Sequence, residues 1–161
     1  MKVSEIISEM HGDKDPKKMP MHFFYGSRHL DYNTAQRADV SKQHCTVCPR
    51  HWYIDATFVC CDCDREFVFT AAEQRFWYED MRFFIDSLPK RCVKCRKAEQ
   101  TRLELRKRYD ALIAEALSQS TIETKKQAVE IINELEVAEG QIPERMITNR
   151  LTLFAQLSRA V

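Results

Sequence analysis

Apolar and polar positions follow three different patterns along this chain of 161 residues. Between Trp52 and Thr70, the strand formers Tyr53, Phe58, Phe67, Val68 and Phe69 flank a polar turn at Cys60–Asp64, which predicts a β-hairpin. Thr70-Ala71-Ala72-Glu73 has the form of a capping box, in which the threonine hydroxyl accepts from the third helical amide and the glutamate reaches back. The helix this predicts covers about Ala71–Asp80 and carries Phe76 and Trp77. Pro89 cannot sit inside a helix but can precede one, so a long helix is expected to start near Cys92.

From residue 96 onward the period becomes helical. Leu105, Tyr109, Leu112 and Ala116 form one stripe, and Ala128, Ile131, Ile132 and Leu135 a second. A third comprises Ile147, Leu151, Phe154 and Leu157. Ser120-Thr121-Ile122-Glu123 offers another capping box, Gly140 a C-cap, and Pro143 a first helical position. Three amphipathic helices imply a small antiparallel bundle with its stripes buried in one chain. The alternative is an arm that pairs with another chain, marked by an exposed stripe at Leu105/Tyr109/Leu112 or Ile147/Leu151/Phe154. Residues 1–44 follow no such period. Val3–Met10 is read as a short helix ended by Gly12, Asp13–Pro20 as a loop, and Met21–Tyr32 as an aromatic segment that packs on the hairpin or stays mobile. The expected class is α+β, divided into an extension (1–44), a hairpin-plus-helix module (45–98) and a helical region (99–161).

Composition narrows the function. Hydrophobic residues make up 44% and charged residues 30%, with 3 Gly and 5 Pro, which is ordinary for a globular protein and unlike a loop-rich all-β fold. No apolar run approaches the roughly 18–20 residues needed to cross a bilayer. The opening Met1-Lys2-Val3-Ser4-Glu5 lacks the apolar stretch of a secretory signal. A cytoplasmic, reducing setting is the expectation, with no membrane partner.

Seven cysteines then need an explanation, and an odd count in a reducing compartment does not suggest a disulfide framework. Cys60 and Cys63 form one C-x2-C and Cys92 and Cys95 another. Two residues between thiols let a tight turn aim both sulfurs at one ion, and two such pairs complete a tetrahedral shell at about 2.3 Å per bond. Four sulfurs select zinc over harder cations. Against this stand four thiols packed as small hydrophobes and a dithiol redox pair, which would need a βαβ setting that neither pair has. The first pair falls on the hairpin tip. The second falls on a helix start, where free amides and the dipole favour thiolate. That combination describes a treble-clef type of zinc site.

Cys60-x-x-Cys63, Phe67-Val68-Phe69-Thr70-Ala71-Ala72-Glu73-Gln74 and Pro89-Lys90-Arg91-Cys92-x-x-Cys95-Arg96 resemble the small bacterial family called the probable zinc-ribbon (treble-clef) domain. Pro49-Arg50-x-Trp52-Tyr53-x-Asp55-x-x-Phe58 resembles a segment of the same family. The resemblance implies zinc held by Cys60, Cys63, Cys92 and Cys95 and carries no enzymatic activity with it. Three departures stand out. Asp64 occupies a knuckle position usually taken by Gly, often at positive φ. Cys61 lies between two ligands, and Cys45-Thr46-Val47-Cys48 adds a third C-x2-C. Cys45, Cys48 and His51, with Cys61 or His44 as a fourth ligand, could form a second site; the alternative is a pair of unmetallated thiols in a loop.

Four thiolates leave no coordination position for water, whereas a catalytic zinc keeps one. H-E-x-x-H, the phosphate-binding loop, G-x-G-x-x-G and the zinc-deaminase signature are all absent. The expectation is a non-enzymatic platform with structural zinc and no small-molecule substrate. Lys90 to Arg108 carries a net +7, against −6 for the rest of the chain. This suggests nucleic acid, or a complex bound to it, as partner, with Arg96, Lys97, Arg102 and Arg106 on phosphates. Trp52 and Trp77 could stack on bases, although core packing is the preferred role for both. The alternative for the charge is a solvated helix whose cations balance the thiolates, with a protein–protein adaptor in the C-terminal helices, as a homodimer or with another chain.

Overall fold

The computed structural model describes residues 11–45, 48–118 and 120–159. The expected helix at Val3–Met10 lies outside the described residues. The chain forms two compact units, Met1–Cys95 and Arg96–Val161.

The first unit is built on a three-stranded antiparallel sheet of β1 (His29–Arg37), β2 (Trp52–Val59) and β3 (Glu66–Phe69), in that order. The expected hairpin is β2–β3, paired from Ala56↔Phe69 to Val59↔Glu66. β1 occupies the far edge of β2, with an irregularity between Asp31 and Gln36. Its burial does not alternate cleanly, so no period of two marked it in the sequence.

α1 (Ala71–Arg75) follows the hairpin, capped by Thr70, whose Oγ1 accepts from the Glu73 amide at 3.1 Å. Asp55 strengthens the cap by accepting from the Ala71 amide at 2.6 Å. The expected helix to Asp80 is only half α. Phe76–Asp80 widens into a π turn closed by the Met81 amide on the Phe76 carbonyl at 2.9 Å. The wider turn lets both Tyr78 and Glu79 be buried.

Met19, Phe23, Phe24, Tyr53, Ile54, Phe69, Tyr78 and Ile85 share one core cluster. The expected division at 44/45 therefore runs through a common core. Gly12 ties the earliest described segment to it. Its carbonyl accepts from the Trp52 indole at 3.0 Å. At φ 74°, with the Met19 backbone 2.5 Å from where a Cβ would stand, this position takes only glycine. Trp52 and Trp77 pack against the same cluster.

Arg50 is the unusual member of this interior, fully buried at 0% exposure. Its guanidinium donates to the carbonyls of Phe23 (2.8 Å) and Ile85 (3.3 Å) and to Gln74 Oε1 (3.2 Å). It also lies 4.7–5.3 Å from the ring centroids of Phe23, Phe24 and Tyr78. Planar donors and aromatic faces replace the lost hydration. Burial lowers its pKa, partly offset by Tyr78 and Tyr53.

The second unit takes in most of α2 (Val93–Leu117), with α3 (Ile122–Glu139) and α4 (Glu144–Ser158). Its core combines Leu105, Tyr109, Ile113 and Ala116 of α2 with Ala128, Ile131, Ile132 and Leu135 of α3 and Met146 and Leu153 of α4. Thr121, one residue past the expected cap, accepts from the Thr124 amide at 3.2 Å. Gly140 caps α3 at φ 76°. Pro143 sits one position earlier than expected, as the N-cap of α4.

The third stripe is a correction. Ile147, Leu151 and Phe154 face outward at 39%, 63% and 47% exposure. Met146 and Leu153 are buried in their place, with Leu157 packed beside them. α4 has apolar residues on two faces, and the three-helix core uses only one.

Candidate metal centre

Residues 60–65 form the knuckle. The Cys60 amide donates to the Arg65 carbonyl at 3.0 Å, and the Cys60 carbonyl accepts from the Asp64 amide at 3.0 Å. Asp64 adopts φ 55°, the left-handed conformation its place in the turn requires. A longer-range bond brings the second pair alongside, from the Cys61 amide to the Lys90 carbonyl at 3.0 Å. The Arg91 guanidinium holds the Asp62 carboxylate at 2.7 Å. Cys92 then immediately precedes α2, and Cys95 lies in its first turn.

The sulfurs of Cys60, Cys63, Cys92 and Cys95 all lie within 4.8 Å of one another, with Cys63 Sγ and Cys92 Sγ 3.9 Å apart. Bonds of about 2.3 Å to a tetrahedral ion require a sulfur–sulfur edge of about 3.8 Å, so the cluster fits zinc. Cys60 is buried and the other three are half-buried.

The surroundings favour thiolate. The Cys60 thiol is lowered to about 6, first by the Cys92 amide and then by those of Asp62 and Cys63. Cys63 is lowered by the Arg65 amide and side chain. Cys95 is pushed up to about 12, first by its hydrogen bond with Cys92, then by burial and by the sulfurs of Cys60 and Cys63. Three sulfurs crowd the fourth, and a divalent cation between them relieves that crowding. These residues hold zinc as a structural ion, with each coordination position filled by sulfur.

The other candidate ligands do not join this cluster or form another among the described residues. Cys45 and Cys48 pack at the edge of the hydrophobic core, and burial raises the Cys48 thiol. Cys61 is exposed beside Asp62, with its thiol 3.3 Å from the carboxylate. His51 Nδ1 lies 3.6 Å from Asp13, and His44 pairs by its backbone with Phe84. Among the basic residues, Arg102 is held by Glu99. Arg106 makes two bonds to Glu139 at 2.7 and 2.6 Å, while Lys97 is exposed and Arg96 half-buried. Asp62 and Arg91, which clip the two cysteine pairs together, went unread because opposite charges far apart in sequence do not reveal their pairing.

No helix among the described residues is long and apolar enough to cross a membrane. Comparison with curated proteins and with solved structures finds no significant match. Residues 54–104 do match the family described as a probable treble clef domain, so the middle of this chain is a treble-clef domain of the zinc-ribbon type.

Proposed function

We propose that the protein is a non-enzymatic, zinc-organised binding platform whose helical unit docks against another protein chain. The closed sulfur shell supports the non-catalytic part, because it leaves no place for a reacting water. The observation that carries the docking is the outward stripe Ile147, Leu151 and Phe154 on α4. Large apolar groups repeated along one exposed helix face are a recognised mark of interaction surfaces. Purification from nuclease-treated extract tests this reading. A complex that survives nuclease and is lost in Leu151→Glu is expected; a complex dissolved by nuclease would contradict it.

One observation favours a second reading, nucleic acid. Lys94 and Lys97 are exposed next to the cysteine pair, within the segment carrying net +7. It ranks behind docking because Arg102 and Arg106 already face Glu99 and Glu139. If five phosphates of duplex DNA are engaged, log K falls against log salt with a slope near −4.5. No binding at low salt would remove this reading.

A further inference from the structure

We propose that the docking partner is a second copy of this chain, joined through the outward faces of two α4 helices packed antiparallel about a two-fold axis near Leu151. This rests on the docking reading above and names its partner.

The argument starts from the order of side chains along that face. Glu144, Ile147, Leu151, Phe154 and Arg159 are all exposed. At 3.6 residues per turn Glu144, Ile147, Leu151 and Phe154 lie within an arc of about 80°, and Arg159, the C-cap residue, lies about 80° round from Leu151 at the rim of that face, the whole spanning about 22 Å. An acid stands at one end, a base at the other, and three large apolar groups between them. Reversing a second copy sets Leu151 against Leu151, Ile147 against Phe154 and Glu144 against Arg159, in a common register to within one residue. A two-fold interface requires such self-complementarity. The inner flank is already occupied, since Arg150 is held by Glu136 and Asn133 of α3. Among the described residues neither Glu144 nor Arg159 has an ion-pair partner, so both remain available to a facing chain.

The apolar part of the face covers only two helical turns, well short of the roughly 800 Å² per partner of a standard interface. The dimer is therefore weak, with a dissociation constant on the order of 10–100 μM.

Sedimentation of the zinc-loaded full chain from about 1 μM to about 1 mM tests this. The mass should rise from 19.0 kDa toward twice that value. Leu151→Glu should weaken association about 100-fold with unchanged helical circular dichroism, since residue 151 is solvent-facing. Glu144→Arg and Arg159→Glu should each weaken it roughly threefold by placing like charges opposite. The double variant should restore it. Both charges also suit the helix dipole, but a purely local dipole effect would leave the double variant the worst of the three. That result, or a mass of 19.0 kDa at every concentration, overturns the dimer. A monomer that still forms a nuclease-resistant complex lost in Leu151→Glu overturns the dimer and leaves the docking reading standing.

Discussion

The two units of this chain solve the same burial problem with different chemistry. The helical unit relies mainly on aliphatic packing, with Ile132, Leu135 and Leu153 fully buried, and Asn149 donates to the hydroxyl of the core residue Tyr109 at 2.7 Å. The sheet-containing unit instead buries polar side chains and bonds most of their polar atoms, Arg50 Nε being an exception. Gln74 donates to the Ile54 and Phe69 carbonyls at 2.6 and 2.8 Å and accepts from Arg50. Gln43 bonds the Arg50 amide and carbonyl and the Tyr53 hydroxyl. This unit also carries the four-cysteine metal centre. Helices satisfy their own backbone, so their core needs only shape. A short sheet with long irregular connections leaves buried carbonyls that side chains must serve. The first unit should accordingly fail when one polar or metal-ligating group is removed, and the second should tolerate anything but a hole in its apolar layer.

Six substitutions sharpen or break that contrast. Cys92→Ser has the largest expected effect. Structural zinc contributes on the order of 10–16 kcal/mol in small sites, more than the usual net stability of a domain. The variant should lose the tertiary structure of residues 49–98, seen as collapsed amide dispersion in NMR spectra, while the helical unit stays folded. Arg50→Ala is next, at about 3–5 kcal/mol, because it leaves a cavity and strips the Phe23 and Ile85 carbonyls of their donor. Arg50→Lys should not rescue it, lacking the planar fork. Within the helical unit, Leu153→Ala should cost about 2–5 kcal/mol, whereas Leu151→Ala, on the opposite, exposed face of the same helix, should stay within about 0.5 kcal/mol. Urea unfolding of each variant distinguishes them, and equal costs at 151 and 153 would refute the assignment of the two α4 faces. Arg106→Ala, which removes the half-exposed partner of Glu139, is expected to cost under about 1 kcal/mol.

Acid should separate the units as well. The Cys60 thiol is held near 6 by the Cys92, Asp62 and Cys63 amides, below the ordinary 9.0 of a thiol. Its thiolate therefore favours the fold fully above about 9, and that contribution is lost as pH falls through about 6. Zinc binding also needs deprotonated sulfur. Metal release on acidification, followed with a chromophoric chelator, should precede any loss of helical signal.

The metal centre was readable because its information is local. Each C-x2-C sets its own turn, and the Thr70 cap and the Asp64 conformation depend only on neighbouring residues. The same holds for the α3 stripe, where Ala128, Ile131, Ile132 and Leu135 are all buried as the period required. What escaped depends on distant partners. β1 has meaning only against β2, the Arg50 cage draws on Phe23, Gln74 and Ile85, and the π turn at Phe76–Asp80 answers to the burial of Tyr78 and Glu79. On α4 the sequence contained two apolar faces, and periodicity alone does not say which of them meets the core.

Both tryptophans, Trp52 and Trp77, belong to the first unit and pack on its core, so their fluorescence reports on that unit alone while far-ultraviolet circular dichroism is dominated by the helices. Titrating the zinc-loaded chain with a strong chelator, and recording both signals, tests directly whether one ion held by Cys60, Cys63, Cys92 and Cys95 maintains the first unit. The prediction is release of one zinc per chain, with a red-shifted tryptophan emission and most of the helical signal retained. Tryptophan emission unchanged after complete zinc removal would contradict it.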